Sequence, residues 1–591
     1  MSAENIPPRP ANDYAAISQR IIDCCLRENI RGLIDQARPA ALPDELQHYW
    51  RGPASAVWIC LADLTEGEMW VPVRLDAPLQ TYSAVADRWL YRDGDLVVLE
   101  QGYHRWLEHL SHGLDDESLA LFGSYIEEAD CAVEHRRLCH QAYAARAEGI
   151  AGILDEPKWG KRQLGIDRLA SYLDHPFYPT ARAKSGFSAQ ALERYAPEFA
   201  PRFRLNWLAV PKATLERTSP PPSAWPSFDE LGLEPSLEGT HALIPVHPLT
   251  WPELDRFGIP DGSVRAPRSA LEVEPTLSVR TVAPIEYPHE HIKLPLLVRT
   301  LGARNLRLIK PSTLYDGHLF QTILQTLAAS DSELGSRYLH VDEQHGAHVD
   351  GQSHLAYILR RYPAELENAA LVPVAALASP LPDGRLFLEA LVERFHQGDL
   401  RRWWGEYLDL MFQVHLRLWL GYGIALEANQ QNAVLVVERG KPMRLLMKDN
   451  DAGRIWMPRL TQACPALADA PGQLLDERIR VRDCQPLAEM FCTITLQLNI
   501  IAPLEAMATA GLVNRAEFYA WMRERLWACL ARLECEGLPV AEARHLLIDR
   551  PNLPVKYLLS AGSLFSKQQS GAADINKYYG YSAANFLRNP V

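Results

Sequence analysis

In the stretch GIALEANQQNAVLVVERGKPMRLLMKDNDAG, Glu427 stands five positions ahead of Asn432, and Asp449 and Asp451 follow after two short apolar runs. An acid, an Asn five residues later, two short strands and then an Asp is the arrangement with which protein kinases hold magnesium against a nucleotide. Hard oxygen donors such as Glu427, Asn432 and Asp449 suit Mg²⁺ bridging phosphates. Asn432 and Asp449 equally suit the capping of turns, and both readings stand on spacing alone.

A second group is cationic. Arg280, Lys293, Arg299, Arg304, Arg307 and Lys310 lie between residues 280 and 310, against only Glu286 and Glu290. If the strands there alternate, Arg280, Lys293 and Arg304 point from neighbouring strands into one cleft. Converging cations suit a triphosphate or a polycarboxylate, because Arg offers a bidentate fork and Lys a point charge. Ser278 and Thr281 add hydroxyl groups at the same place. The alternative is a solvated sheet face.

The segment DHPFYPTARAKSGF carries His175, Arg182 and Lys184 ahead of Gly186. Pro176 and Pro179 force an extended loop, and the glycine allows close backbone approach. It reads as a ligand loop or as a surface loop with scattered charge. His247, held in IPVHPLTW between apolar groups and a proline, reads as structural. The chain has no G-x-x-x-x-G-K-[ST], no G-x-G-x-x-G after a strand, no G-x-S-x-G and no H-E-x-x-H. P-loop, Rossmann, serine hydrolase and zincin chemistries lose their motif support.

The elements that must position these groups differ along the chain. Residues 14–150 read as mainly helical, with Ile17, Ile21, Ile22 and Cys25 on one face and β-like pieces at 56–62 and 69–75. Residues 156–370 hold short segments rich in branched side chains, interrupted by a proline spacer at 219–226, and predict a mixed β-sheet. Residues 371–591 read as helical, with a periodic run LRRWWGEYLDLMFQVHLRLWLGY and a hairpin of AVLVV and MRLLM around ERGKP.

With 60 Lys+Arg against 73 Asp+Glu, the 591-residue chain has a net charge of −13. That balance argues against whole-surface attraction to nucleic acid or anionic membrane, yet leaves room for a local basic pocket. Ten cysteines without a C-x-x-C pair signal neither a zinc knuckle nor a redox dithiol. The start is polar and proline-rich, and no apolar run is read as approaching the roughly 20 residues that cross a bilayer. The expectation is a soluble cytoplasmic protein without nucleic-acid or membrane partners.

Taken in order, HPFYPTARAKSGF, IPVHPLTW, LSVRTV, HIKLPLLVRTLGARNLR, GIALEANQQN and KDNDAG resemble the IucA/IucC family of NRPS-independent siderophore synthetases. The resemblance runs over about residues 170–455, with a weaker tail at PVKYLLSAGSL. It implies an α+β fold likened to a cupped hand: a helical thumb (1–155), mixed-sheet fingers (156–370) and a helical palm (371–591) with a kinase-like nucleotide site. It implies an ATP- and Mg²⁺-dependent ligase that adenylates a carboxylate, usually of citrate, and passes it to an amine or hydroxyl. A homodimer is expected by family analogy. The alternatives are a kinase-like phosphotransferase or a non-catalytic binder of nucleotide or polycarboxylate.

Under this resemblance, His175, Lys184, Ser278, Arg280, Thr281, Lys293, Arg304, Gln431 and Asn432 contact ATP. Glu427, Asn432 and Asp449 hold the metal. Arg304, Asn429 and Lys556 grip the carboxylate, and Arg280, Lys293 and Arg304 screen charge during catalysis. The chain departs from the family pattern at Asn429 and Tyr178, where the family carries histidines. Asn429 cannot titrate near neutrality or carry positive charge.

Overall fold

The computed structural model describes residues 12–588 apart from positions 56, 63, 65, 76, 300–305 and 571–577. Helix Asp13–Arg27 starts where the Asn12 side chain accepts the N–H of Ala15 at 2.7 Å. Its Ile17, Ile21, Ile22 and Cys25 are fully buried, as their spacing requires. They pack with the 29-residue helix Asp116–Ala144 against a six-stranded antiparallel sheet that includes Val57–Leu61 and Glu68–Arg74. The N-terminal part is therefore a helix-on-sheet unit. Its core also takes Leu559 and Leu564 from the far end of the chain. Buried Glu28 accepts the N–H groups of Leu559 and Ser560 at 2.9 and 2.7 Å, fastening that end in place.

The central part is a nine-stranded sheet. The mixed sheet expected here is antiparallel in all its pairings; short turns join Ala270–Pro275 to Thr281–Pro284, Thr281–Pro284 to Glu290–Lys293, and Asp342–Val349 to Gln352–Arg361, and the other neighbours meet from distant parts of the chain. Strands Thr281–Pro284, Glu290–Lys293 and Gln352–Arg361 lie side by side, with Thr281 opposite Lys293 and His291 opposite Arg360. Side-chain alternation divides the two faces: Val282, Ile292 and Leu359 enter an apolar core, so Lys293 and Arg360 share the opposite face.

In the C-terminal part, Ala433–Val437 and Arg444–Met447 form the expected hairpin, with Ala433 opposite Met447. Strand Tyr338–His340 pairs in parallel with Arg444–Met447 and then runs directly into Asp342–Val349 of the nine-stranded sheet. This crossing joins the two sheets. Helix Leu400–Leu416 continues as a wider turn over Arg417–Gly421, and Trp403, Trp404 and Tyr407 stack in its core.

The expectation about apolar runs needs correction. Gln485–Thr509 is a 25-residue helical segment with mean hydropathy 1.4 in its most apolar window, and 89% of that window is buried within the protein. A helix that is apolar all round is a core helix when other helices cover it, and here they do.

Candidate active site

Where the two sheets meet, charged side chains from both close on one another. Lys293 Nζ lies 2.6 Å from Asp449 Oδ1, and Arg360 Nη2 lies 2.9 Å from the same oxygen. Arg360 Nε donates to Glu343 Oε1 at 2.6 Å, and Glu343 Oε2 accepts the backbone N–H of Asp449 at 2.9 Å. Burial opposes charge on Asp449, but Lys293 and Arg360 outweigh it and hold that carboxyl far below the usual range. Asp449 adopts a left-handed φ of 57°. Val279, β-branched, sits at φ 65° on the Leu277–Arg280 turn, a strained conformation of the kind that collects at functional sites.

Two cavities flank this junction. The smaller, about 220 Å³, is lined by Arg280, Arg307, Lys310, Ser312, Thr313, Glu427 and Asp451, among others. Ser312 and Thr313 open the 20-residue helix Pro311–Ser330, which has no side-chain cap there. Gly453 lets that helix approach: a Cβ at Gly453 would stand 2.4 Å from the Phe320 ring. The larger cavity, about 300 Å³, is lined by His175, Lys184, Ser278, Asn429, Gln431 and Lys556, with Arg307 and Glu427 again in its wall. Arg307 and Glu427 thus belong to both.

The 174–184 loop forms one side of the larger cavity. Arg182 Nε donates to Asp174 Oδ1 at 2.8 Å, and its other end lies 3.1 Å from Glu198 Oε1, which also takes the Lys184 ammonium. His175 Nδ1 accepts the N–H groups of Phe177 and Tyr178 at 3.2 and 3.1 Å, so a neutral ring carries its proton on Nε2. Burial, aided by Arg20 and Lys556, lowers His175 to about 3 and keeps it neutral. Gly186 supplies the φ of 107° that turns the chain out of the loop.

Asn429 does turn work: its Oδ1 accepts the N–H groups of Gln431 and Asn432, each at 3.1 Å. Lys556 Nζ lies 3.8 Å from Glu427 Oε1. Arg280 donates to the Leu308 carbonyl at 2.9 Å, and Ser278 Oγ accepts the N–H of Thr281 at 3.0 Å.

Of the residues expected at the site, His175, Lys184, Ser278, Glu427, Asn429, Gln431 and Lys556 line the larger cavity, and Arg280 and Glu427 the smaller. Thr281, Lys293, Asn432 and Asp449 line neither; Lys293 and Asp449 pair just behind the walls. Arg304 and the 300–305 loop lie outside the described residues. Tyr178, at a family histidine position, points away from the cavity into the N-terminal core, where its hydroxyl donates to Glu128 Oε1 at 2.7 Å. Sequence reasoning passed over Arg360 and Glu343. The available signal was a lone arginine pair ending the apolar strand HLAYILRR.

Among the described residues no three His, Cys, Asp or Glu side chains gather as a ready-made cation cage. Magnesium is commonly held by one or two carboxylates together with substrate phosphates and water, and Glu427 with Asp451 in the smaller cavity fits that pattern. The cations of the same cavity fit the phosphates.

Residues 166–379 match the IucA / IucC family model, and residues 401–570 match one described as a ferric iron reductase FhuF-like transporter. The chain is 25% identical to staphyloferrin B synthase of Staphylococcus aureus, over 66% of this chain and 71% of that protein. It is 26% identical to aerobactin synthase of Escherichia coli, over 60% of this chain and 66% of that one. In three dimensions it resembles ATP-bound aerobactin synthetase IucA of Klebsiella pneumoniae, with a TM-score of 0.69 and 17% identity over 97% of this chain and 99% of that one. It also resembles the petrobactin biosynthesis protein AsbB of Bacillus anthracis, with a TM-score of 0.71 and 17% identity over 97% and 96%. With the family's motifs in order, its α+β fold shared over nearly the whole length and synthases among its relatives, the chain is identified through residues 166–379 with the IucA/IucC family.

Proposed function

We propose that the protein uses ATP to activate a carboxylate of citrate or a related polycarboxylate as an acyl-adenylate, then condenses it with an amine or hydroxyl. The observation that carries this reading is the pair of cavities sharing Arg307 and Glu427, one lined by five cations, two hydroxyls and four carboxylates, the other by amides and paired charges. A polyphosphate suits the first and a polar organic acid with its nucleophile the second. Relatives named as citrate-joining ligases, such as L-2,3-diaminopropanoate–citrate ligase of Staphylococcus aureus (24% identical), support the substrate class. The structural neighbour solved with ATP supports the nucleotide.

In the first step a carboxylate oxygen attacks the α-phosphorus, the bond to the β-phosphate breaks and pyrophosphate leaves. Two anions must approach, so positioning and positive charge matter more than a protein nucleophile. Arg280 supplies charge from the smaller cavity, and Arg304 does so by family resemblance. Lys293 stands behind, oriented by Asp449. His175 Nε2 and Gln431 offer neutral donors from the larger cavity. Mg²⁺, held by Glu427 with Asp451 and backed by Asn432 and Asp449, would neutralise phosphate charge. In the second step the nucleophile's lone pair attacks the activated carbonyl, AMP departs and the nucleophile loses its proton. Lys556 faces the organic acid, and the Asn429 turn shapes the Gln431 wall beside it. The protein works in the cytoplasm, as a homodimer, without nucleic acid or membrane.

Carboxylate-dependent exchange of labelled pyrophosphate into ATP, together with AMP release on adding a panel of amines, tests this reading. Release of ADP and phosphate instead would remove it.

A further inference from the structure

Arginines lining the two cavities are Arg27, Arg182, Arg280, Arg307, Arg454 and Arg478. Five of them donate to acceptors: Arg27 to the Phe177 carbonyl, Arg182 to Asp174, Arg280 to Leu308 O, Arg454 to Gly453 O and Arg478 to Asp476. Arg307 donates to no acceptor among the described residues. It is also the only one of the six that stands in both walls. Its backbone is fixed, since strand Leu306–Arg307 pairs with Leu296–Arg299. Its surroundings penalise it: burial and the neighbouring Arg280 lower it to about 10, against the pull of Asp449 and Glu427.

Arg307 is half-buried and lines both cavities with no acceptor among the described residues, so its guanidinium is placed to take a counter-charge that a ligand supplies. The counter-charge must be reachable from both cavities. A guanidinium has five N–H donors in a rigid fork, and its two edges can serve two oxyanions at once, which an ammonium does less well.

We infer that the Arg307 guanidinium bridges the two anionic reactants, taking a phosphate oxygen from the smaller cavity and a carboxylate oxygen of the organic acid from the larger. This rests on the function proposed above and goes beyond it by assigning both anions to one side chain. Arg307 then holds the attacking oxygen and the phosphate in register and screens their repulsion. Glu427, the other shared residue, lies on the opposite side of the charge balance, paired at 3.8 Å with Lys556.

The test measures tripolyphosphate and citrate binding separately by calorimetry, on the wild-type protein and on Arg307→Gln. Pyrophosphate exchange and thermal melting follow on both. Bridging predicts that Arg307→Gln weakens each ligand by about tenfold or more, and that Arg307→Lys recovers binding better than it recovers exchange. It also predicts a melting temperature nearly unchanged or raised without ligands, because a half-buried cation with no acceptor among the described residues adds little to the fold. Weakening of one ligand only, or of neither, overturns the bridge. So does a melting temperature lowered by about 10 °C, which would mark a structural role. If the wild-type protein fails to exchange pyrophosphate but Arg307→Gln still weakens both ligands, the proposed function falls and the shared anion contact stands. Exchange by the wild type with unaltered binding in the variant sinks the bridge alone.

Discussion

Two walls of the same site handle charge in opposite ways. The 174–198 wall neutralises itself: Asp174, Arg182, Glu198 and Lys184 form a closed chain in which each cation has a carboxylate. The wall around Arg280 and Arg307 leaves charge open: among the described residues Arg280 donates only to a carbonyl and Arg307 to no acceptor. A self-paired wall is a frame whose shape does not depend on ligand. An open wall stores unfavourable solvation that an arriving anion relieves. Between them, the pairing of Lys293 and Arg360 with Asp449 locks the edges of the two sheets together.

The sharpest way to break this contrast is Arg182→Ala. Arg182 is 5% exposed, and its loss leaves Asp174 and Glu198 short of a partner. Unfolding in urea is expected to show a loss of about 3–5 kcal/mol; a change under about 1 kcal/mol would mean the wall is not a frame. Arg280→Ala is expected to do the reverse. Pyrophosphate exchange falls by about 10²–10³-fold, while stability falls by about 1 kcal/mol, the worth of its one carbonyl bond. Equal losses in both variants would erase the distinction.

A third kind of site carries no charge at all. His247 (1% exposed, ringed by Tyr195 and Phe203) and His415 (5% exposed) are lowered by burial to about 3 and about 4. Their folded values lie below the unfolded 6.5, so the unfolded chain binds more protons between those values. Stability is therefore full above about pH 6.5 and falls as the pH drops toward 4. Each costs about 1 kcal/mol at pH 5.5 relative to pH 7.5. Urea midpoints at the two pH values check this, and Phe in place of either histidine should flatten the difference. The smallest effect is expected at Asn429, whose side chain holds one turn. Asn429→Ala should cost about 1 kcal/mol and loosen the Gln431 wall, lowering exchange by a few-fold at most. A hundredfold loss would show that Asn429 touches the reacting groups.

Much of the local structure was legible because it follows from spacing within a few residues. The Ala433–Met447 hairpin, the buried face of the first helix and the structural setting of His247 are of this kind. The apolar Gln485–Thr509 stretch was harder, since the same composition serves a core helix or a membrane span, and only its neighbours decide. Tyr178 was misleading for a related reason: a motif position gives residue type, not the direction in which the side chain leaves the loop.

By itself, the sequence determined which chemistry the chain carries: a cationic run at 280–310, oxygen donors at 427–451 and a loop that must turn at Gly186. Backbone preference and side-chain type act over short distances, so these are written locally. Tertiary structure alone decided which charges cancel and which stay open. Pairing Lys293 with Asp449, 156 positions apart, depends on strand register across two sheets, and so does recruiting Arg360 and Glu343. Leaving Arg307 between two cavities with no acceptor among the described residues likewise depends on every neighbour that might have reached it. Register fixes side chains to one face or the other, and no local pattern encodes what stands opposite.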